Sequence, residues 1–136
     1  MINAFSRDLA LNADGIVKFD TVTLEKGCGT VLNGSSSIHL KKSGIYQVIF
    51  YAEAMPQING TVSFAMLTNG FAKIGDTTTV EGATTAKSYT VPIVTTVQVP
   101  ANDSRCNCRT SGVMIQFENV GVATTADVNV VITKVC

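Results

Sequence analysis

The reactive side chains of this sequence are few, and four of them are cysteines: Cys28, Cys106, Cys108 and Cys136. They could be small buried apolar groups or unreacted thiols, a disulfide formed in an oxidising medium, or ligands of a zinc ion. Cys106 and Cys108 are two residues apart, so an extended chain places both on one face and strains a bond between them. The same C-x-C spacing departs from the wider spacing typical of zinc sites. The cysteines therefore predict no function.

Other residues that catalyse reactions are scattered through the chain. The single histidine, His39, alternates with apolar neighbours that would face inward, which indicates a structural position on the outside of a strand. No G-x-S-x-G, glycine-rich phosphate loop or H-E-x-x-H motif occurs. Asp76, Glu81 and Asp103 could coordinate calcium, but isolated acidic residues favour solvated loops. We therefore expect a protein that is not an enzyme and has no cofactor or metal.

Composition predicts one domain that associates with itself. The chain has 136 residues, of which 15% are charged, with ten basic and ten acidic side chains. This balance gives no electrostatic footprint for nucleic acid and no basic patch for a membrane surface. Hydrophobic residues make up 46% of the chain, so a domain of this size should retain apolar surface after its core is filled. The sequence shows neither a membrane-spanning run nor an N-terminal signal peptide, so we expect the protein to fold first in a cytoplasm.

Residue types and turn signals predict an all-β fold. Val and Thr each occur 17 times, and Asn-Gly turns follow at residues 33–34, 59–60 and 69–70. The polar stretch from Asp76 to Lys87 is typical of a surface loop or an edge segment, and such loops often carry recognition. The short β-type runs indicate an antiparallel sandwich. They cover residues 16–24, 30–32, 37–40, 45–54, 61–67, 71–74, 88–99, 113–119 and 124–135.

The run from Ile45 to Ala54 predicts a strand that is covered on both sides. Side chains of a strand alternate between its two faces, and here both faces carry large apolar groups. One face is assigned to the domain core: Tyr46, Val48, Phe50 and Ala52. The other is assigned to contact with further copies of the chain: Gln47, Ile49 and Tyr51. The alternative is a central strand of a thick sandwich with loops over it.

The pattern S-I-x-L-x-x-x-G-I-Y-x-V-x-F-x-A over residues 37–52 resembles the tumour-necrosis-factor and complement-globular-head superfamily. Residues 65–70 and 97–103 are also similar to members of that superfamily, and the resemblance spans residues 16–136. It implies a TNF-like jelly roll of about ten strands that forms a trimer about a three-fold axis. Gln47, Ile49 and Tyr51 match the face that lines this axis. A collagen stalk and a signal peptide are absent from the sequence, so it looks like a bacteriophage or bacterial member rather than a secreted cytokine.

From this resemblance we expect a non-enzymatic structural protein of the virion, assembled in the host cytoplasm. It would be a homotrimeric capsid decoration, head fibre or tail-tip component that could also help to attach the particle to a host surface glycan or protein. Residues 1–14 would be an arm that docks on other virion proteins, and residues 15–136 the jelly-roll domain; alternatively, the arm is simply the first strand. The apolar anchors of the arm would be Ile2, Phe5, Leu9 and Leu11. The alternative function is a spore-surface or cell-surface recognition head that binds glycan or protein.

Overall fold

Ten strands and no helix make up the structure, a computed structural model that describes residues 1–25, 30–33, 35–100 and 112–135. Strands β1 to β5 are Ile2–Leu11, Thr21–Glu25, Thr30–Asn33, Ser37–Leu40 and Gly44–Pro56. Strands β6 to β10 are Gly60–Thr68, Phe71–Ala83, Tyr89–Val99, Val113–Asn119 and Thr124–Lys134. Over the same part of the chain, there is no helix with the length and apolar character needed to cross a bilayer.

The strands form two five-stranded antiparallel sheets. Sheet one has the order β2-β1-β10-β5-β8, and sheet two has the order β3-β4-β9-β6-β7. From β7 onward the chain changes sheet at every connection, so each connection crosses from one sheet to the other. This arrangement is an antiparallel jelly-roll sandwich, and it confirms the fold class expected from the sequence.

An aromatic cluster joins the two sheets in the core. Phe50 of β5 stacks on Phe117 of β9, with ring centroids 4.2 Å apart and an angle of 9° between the planes. Phe64 of β6 lies 5.9 Å from the Phe50 ring, and Phe19 meets the Phe117 ring edge-on at 6.2 Å. Because Phe50 belongs to sheet one and both Phe64 and Phe117 belong to sheet two, these ring contacts fix how the two sheets pack on one another.

Residues 2–11 form a strand inside the fold, which corrects the prediction of a docking arm. Strand β1 lies between β10 and β2, with Ile2 paired to Ile132 and also to Glu25. Ile2 and Leu11 are buried in the core, while Phe5 and Leu9 are half-buried. Ile2, Leu9 and Leu11 therefore stabilise the subunit itself, while Phe5 lies on the outer side of the strand. The first fourteen residues therefore belong to the same sandwich as the rest of the chain.

Two further boundaries differ from the prediction. The predicted strand at 16–24 is shorter and later, because only Thr21–Glu25 pairs with β1 and Ile16 makes just an isolated bridge to Glu118. The polar segment from Asp76 to Lys87 is largely strand, since β7 continues to Ala83 at the edge of sheet two. Of the two alternatives for this segment, the edge segment is correct. Its many Thr residues suit a half-exposed edge strand better than a loop.

A buried amide ties the turn between β9 and β10 to the end of β1. The Nδ2 group of Asn119 donates hydrogen bonds to the carbonyl oxygens of Asn12 at 3.2 Å and of Val122 at 3.0 Å. Its Oδ1 atom accepts a hydrogen bond from the Gly121 N–H at 3.1 Å. Because Asn119 is fully buried, water cannot replace a lost partner.

We expect Asn119→Asp to lower the free energy of unfolding by roughly 2–4 kcal/mol, because two buried carbonyl oxygens lose their amide donor. The control is Asn69→Asp, since only the Oδ1 atom of Asn69 is used, as acceptor from the Met114 N–H at 2.9 Å. Asp also tolerates the left-handed backbone at residue 69, where φ is 50°. Urea denaturation of both variants measures the difference, and an equal loss in the two would contradict the role of the Asn119 amide.

Candidate interaction face

Strand β5 places the two predicted sets of side chains on opposite sides of sheet one. The set assigned to the core is fully buried: Tyr46, Val48, Phe50 and Ala52. The set assigned to subunit contact is exposed on the outer side: Gln47, Ile49 and Tyr51. Exposed fractions of 37% for Ile49 and 43% for Tyr51 are high for large, mostly apolar side chains in a central strand. The described residues provide no loop that buries this side.

Neighbouring strands extend the apolar surface across the sheet. Ile49 lies between Val131 of β10 and Val94 of β8, and the Val94 side chain is 64% exposed. We call the resulting surface the outer band. It comprises the outward apolar side chains of two adjacent rows: Ile49, Tyr51, Pro92, Val94 and Val131.

Polar rows border the outer band at both ends. Towards the start of β5, Gln47 is flanked by Thr133 and Thr96. Towards its end, Glu53 is flanked by Asp127 and Thr90. A contiguous apolar patch with a polar rim is the usual composition of a surface that another protein covers.

Some polar atoms next to the band form hydrogen bonds within the subunit, and others do not. The Nδ2 group of Asn129 donates a hydrogen bond to the Tyr51 hydroxyl at 3.0 Å, which holds the phenol ring across the sheet. Two buried amide oxygens on this side, Oδ1 of Asn3 and Oδ1 of Asn129, have no hydrogen-bond partner among the described residues. Such groups are usually satisfied in a functional state, by a partner or by water.

On the inner side of the same strand, a tyrosine is fixed by burial. The Tyr46 hydroxyl donates a hydrogen bond to the Lys42 carbonyl oxygen at 2.8 Å. Burial raises the pKa of Tyr46, and this effect is opposed by the Lys42 hydrogen bond and charge. The hydrogen bond to Lys42 anchors β5 at its start, while the outer side of the strand stays open.

Those residues considered for chemistry that the structure describes lie apart from one another. Among the described residues, no group of three or more His, Cys, Asp and Glu side chains is placed to hold a metal ion. His39 is half-buried on β4, and Glu81 is exposed on β7. Asp76, expected in a solvated loop, is instead buried on β7 because that strand continues through it. Asp103 and the four cysteines lie outside the described residues.

Sequence reasoning missed a cleft at one end of the outer band. It has a volume of about 440 Å³ and lies where β1, β10 and β5 meet on the outer side of sheet one. Arg7, Glu53 and Asp127 line it beside the rings of Phe5 and Tyr51. These residues are far apart in the sequence and none forms a motif, so no sequence signal could have joined them.

Comparisons with solved structures agree on the fold. Murine APRIL, a tumour-necrosis-factor-family protein, superposes with a TM-score of 0.63 and 9% identity over 98% of this chain and 97% of its own. The PRD1 vertex protein P5 superposes with a TM-score of 0.61 and 15% identity over 99% of this chain and 96% of its own. A family 35 carbohydrate-binding module from Cellvibrio japonicus reaches a TM-score of only 0.43 at 12% identity, over 98% and 97% of the two chains, which is too low to indicate a shared fold. No protein-family model and no curated protein matches the sequence.

The chain is therefore a TNF-like jelly roll with an open apolar face on the sheet that contains β5. This fold is shared by murine APRIL and by the PRD1 vertex protein P5, and at these identities the likeness establishes the fold alone.

Proposed function

We propose that the protein is a non-enzymatic structural component of a virus particle that works as a homotrimer. The observation that carries this proposal is the outer band, in which a central strand exposes Ile49 and Tyr51 beside Val94 on an otherwise complete sandwich. Support for the virion setting comes from the fold of the PRD1 vertex protein P5, which is matched over nearly the whole of both chains.

The trimer would bury the outer band of each subunit. TNF-like neighbours are trimeric, and the predicted contact residues Gln47, Ile49 and Tyr51 lie on the outer side of sheet one. Burying a large apolar side chain completely contributes about 1.5–3 kcal/mol, and part of that gain is still available at each exposed position of the band. Three copies of a contiguous patch can therefore offset the entropy lost on association.

On the particle, the protein would be a capsid decoration, a head fibre or a tail-tip component. It would be assembled in the host cytoplasm and would contact other virion proteins. Because β1 is an internal strand, contact with those proteins would use surfaces other than the N-terminal segment. A recognition head on a bacterial spore or cell surface would use the same trimer. The cleft beside the band favours a role in glycan recognition in either setting.

The first test is the mass of the purified protein in dilute buffer, measured by light scattering after size-exclusion chromatography. We expect three times the chain mass of 14.3 kDa at micromolar concentration. A monomer under these conditions would overturn the trimer. Mass spectrometry and antibody labelling of purified virus particles test the setting separately, and a chain missing from the particles would overturn the virion role.

A further inference from the structure

A β-bulge in β1 shapes the cleft. The pairing of β1 with β10 changes register between Ser6 and Leu9, so Arg7 and Asp8 together oppose Asp127. Asp8 has a φ of 51°, in the left-handed region that residues other than glycine rarely adopt. Its N–H donates a hydrogen bond to Oδ1 of Asp127 at 2.8 Å, which holds this backbone in place. Bulges often change the direction of a side chain, and this bulge directs Arg7 to the cleft.

The cleft combines two aromatic rings with charged groups of both signs. Its volume of about 440 Å³ falls in the range of small-ligand pockets. The Arg7 guanidinium lies 5.7 Å from the centroid of the Phe5 ring. Its aromatic, charged and amide side chains come from three strands of one subunit: Phe5, Arg7, Tyr51, Glu53, Asp127 and Asn129.

Several polar groups of the cleft have unused hydrogen-bonding capacity. Glu53 and Asp127 are directly opposite each other on β5 and β10, an arrangement that costs stability because the two charges repel. Within the described part of the chain, neither carboxylate forms an ion pair with Arg7 or any other cation. The Tyr51 hydroxyl accepts a hydrogen bond from the Asn129 amide and keeps its own proton to donate.

We propose that this cleft binds a neutral saccharide unit. Arg7 supplies donors and the two carboxylates supply acceptors, so a neutral ligand with many hydroxyl groups can form hydrogen bonds with all three without placing a like charge beside any of them. Its hydroxyl groups would donate to the two carboxylates and accept from Arg7 and Tyr51, and charge-assisted hydrogen bonds of this kind are the stronger ones. The apolar face of the sugar ring would pack on the rings of Phe5 and Tyr51.

The proposal does not require the trimer, because one subunit supplies every lining residue. It does require that the assembled protein leaves the cleft open beside the covered band, with Tyr51 in contact with both. Mass and glycan binding measured on the same sample therefore test the two proposals separately: the mass tests the trimer, and glycan binding tests the saccharide site.

The test is an array of neutral and acidic oligosaccharides probed with the assembled protein, followed by an NMR titration of the best neutral glycan. We expect a neutral glycan to bind and to shift the amide signals of Tyr51 and Asp127. Glu53→Gln and Asp127→Asn should each raise the Kd about tenfold, because each replaces a charged acceptor by a neutral one. The matched control is Glu81→Gln on the exposed part of β7 in sheet two, which should leave the Kd unchanged.

A second variant tests the aromatic contact. Phe5→Leu keeps an apolar side chain but removes the ring, and it should weaken glycan binding while the mass of the assembly stays the same. The saccharide site is overturned if the array shows no neutral glycan or only acidic ones, or if binding survives both carboxylate variants. A cross-link between the Glu53 or Asp127 carboxylate and a lysine of another subunit would likewise overturn it, because a basic side chain would then occupy the cleft.

Discussion

We expect the Ile49→Asp variant to be a folded monomer. Ile49 is at the centre of the outer band, between Val131 and Val94, and its side chain already has access to water in the subunit. An aspartate at this position should change the free energy of unfolding of the isolated subunit little. In the trimer, however, it would bury three carboxylates in an apolar interface, where none of them has an oppositely charged partner. Burying an unpaired charge costs several kcal/mol for each ion, more than the band can supply. Light scattering gives the mass, and circular dichroism shows whether the fold is kept.

Phe71→Asp is the matched control for this prediction. Phe71 is 77% exposed, but it begins β7 at the edge of sheet two, away from the outer band. The same change in charge and hydrophobicity at residue 71 should leave the trimer intact. If Ile49→Asp keeps the trimer mass while Phe71→Asp loses it, the subunits meet through a different face of the sandwich.

Phe50→Ala should lower the free energy of unfolding by about 3–5 kcal/mol. The Phe50 ring is fully buried, stacks on Phe117 at 4.2 Å and lies 5.9 Å from Phe64, so its removal leaves a cavity between the two sheets. Because the neighbouring rings come from different strands of sheet two, they cannot close the gap without moving the sheet. Chemical denaturation at a fixed protein concentration measures the loss, since the stability of an oligomer depends on concentration.

Ile58→Ala serves as the control for the core variant. Ile58 follows β5 in the turn to β6 and is 59% exposed, so truncating it should change stability by less than about 0.5 kcal/mol. A similar loss in both variants would mean that the aromatic cluster does not hold the sheets together. A mass change in Phe50→Ala without a loss of stability would assign Phe50 to subunit contact instead.

Strands are easiest to predict from the sequence where apolar and polar side chains alternate regularly. In β5, every second side chain from Tyr46 to Pro56 is buried, and the sequence shows this period directly. In β1 the same period fails at Arg7 and Asp8, because the bulge adds a residue and shifts the later side chains to the other face. The expected arm at residues 1–14 follows instead from the resemblance, which begins only at residue 16, and in the fold residues 2–11 form a strand.

Only the part of the candidate face that lies on β5 could be predicted from the sequence. Local alternation is enough to identify Ile49 and Tyr51 as outward apolar groups on a central strand. That Val94 and Val131 lie beside Ile49 follows from the order β10-β5-β8, and these strands are separated by tens of residues in the sequence. The cleft depends on the same long-range pairing, since it joins β1 to β5 across β10.

Residue types and their period of two were therefore sufficient to establish an all-β sandwich, its core strand and its surplus of apolar surface, because these properties arise from neighbours along one strand. The limits of the outer band, the place of β1 inside sheet one and the meeting of Arg7 with Glu53 and Asp127 were decided by tertiary structure. They depend on which strands pair and in which register, and pairing is a free-energy balance of the whole sandwich that no single stretch of sequence contains.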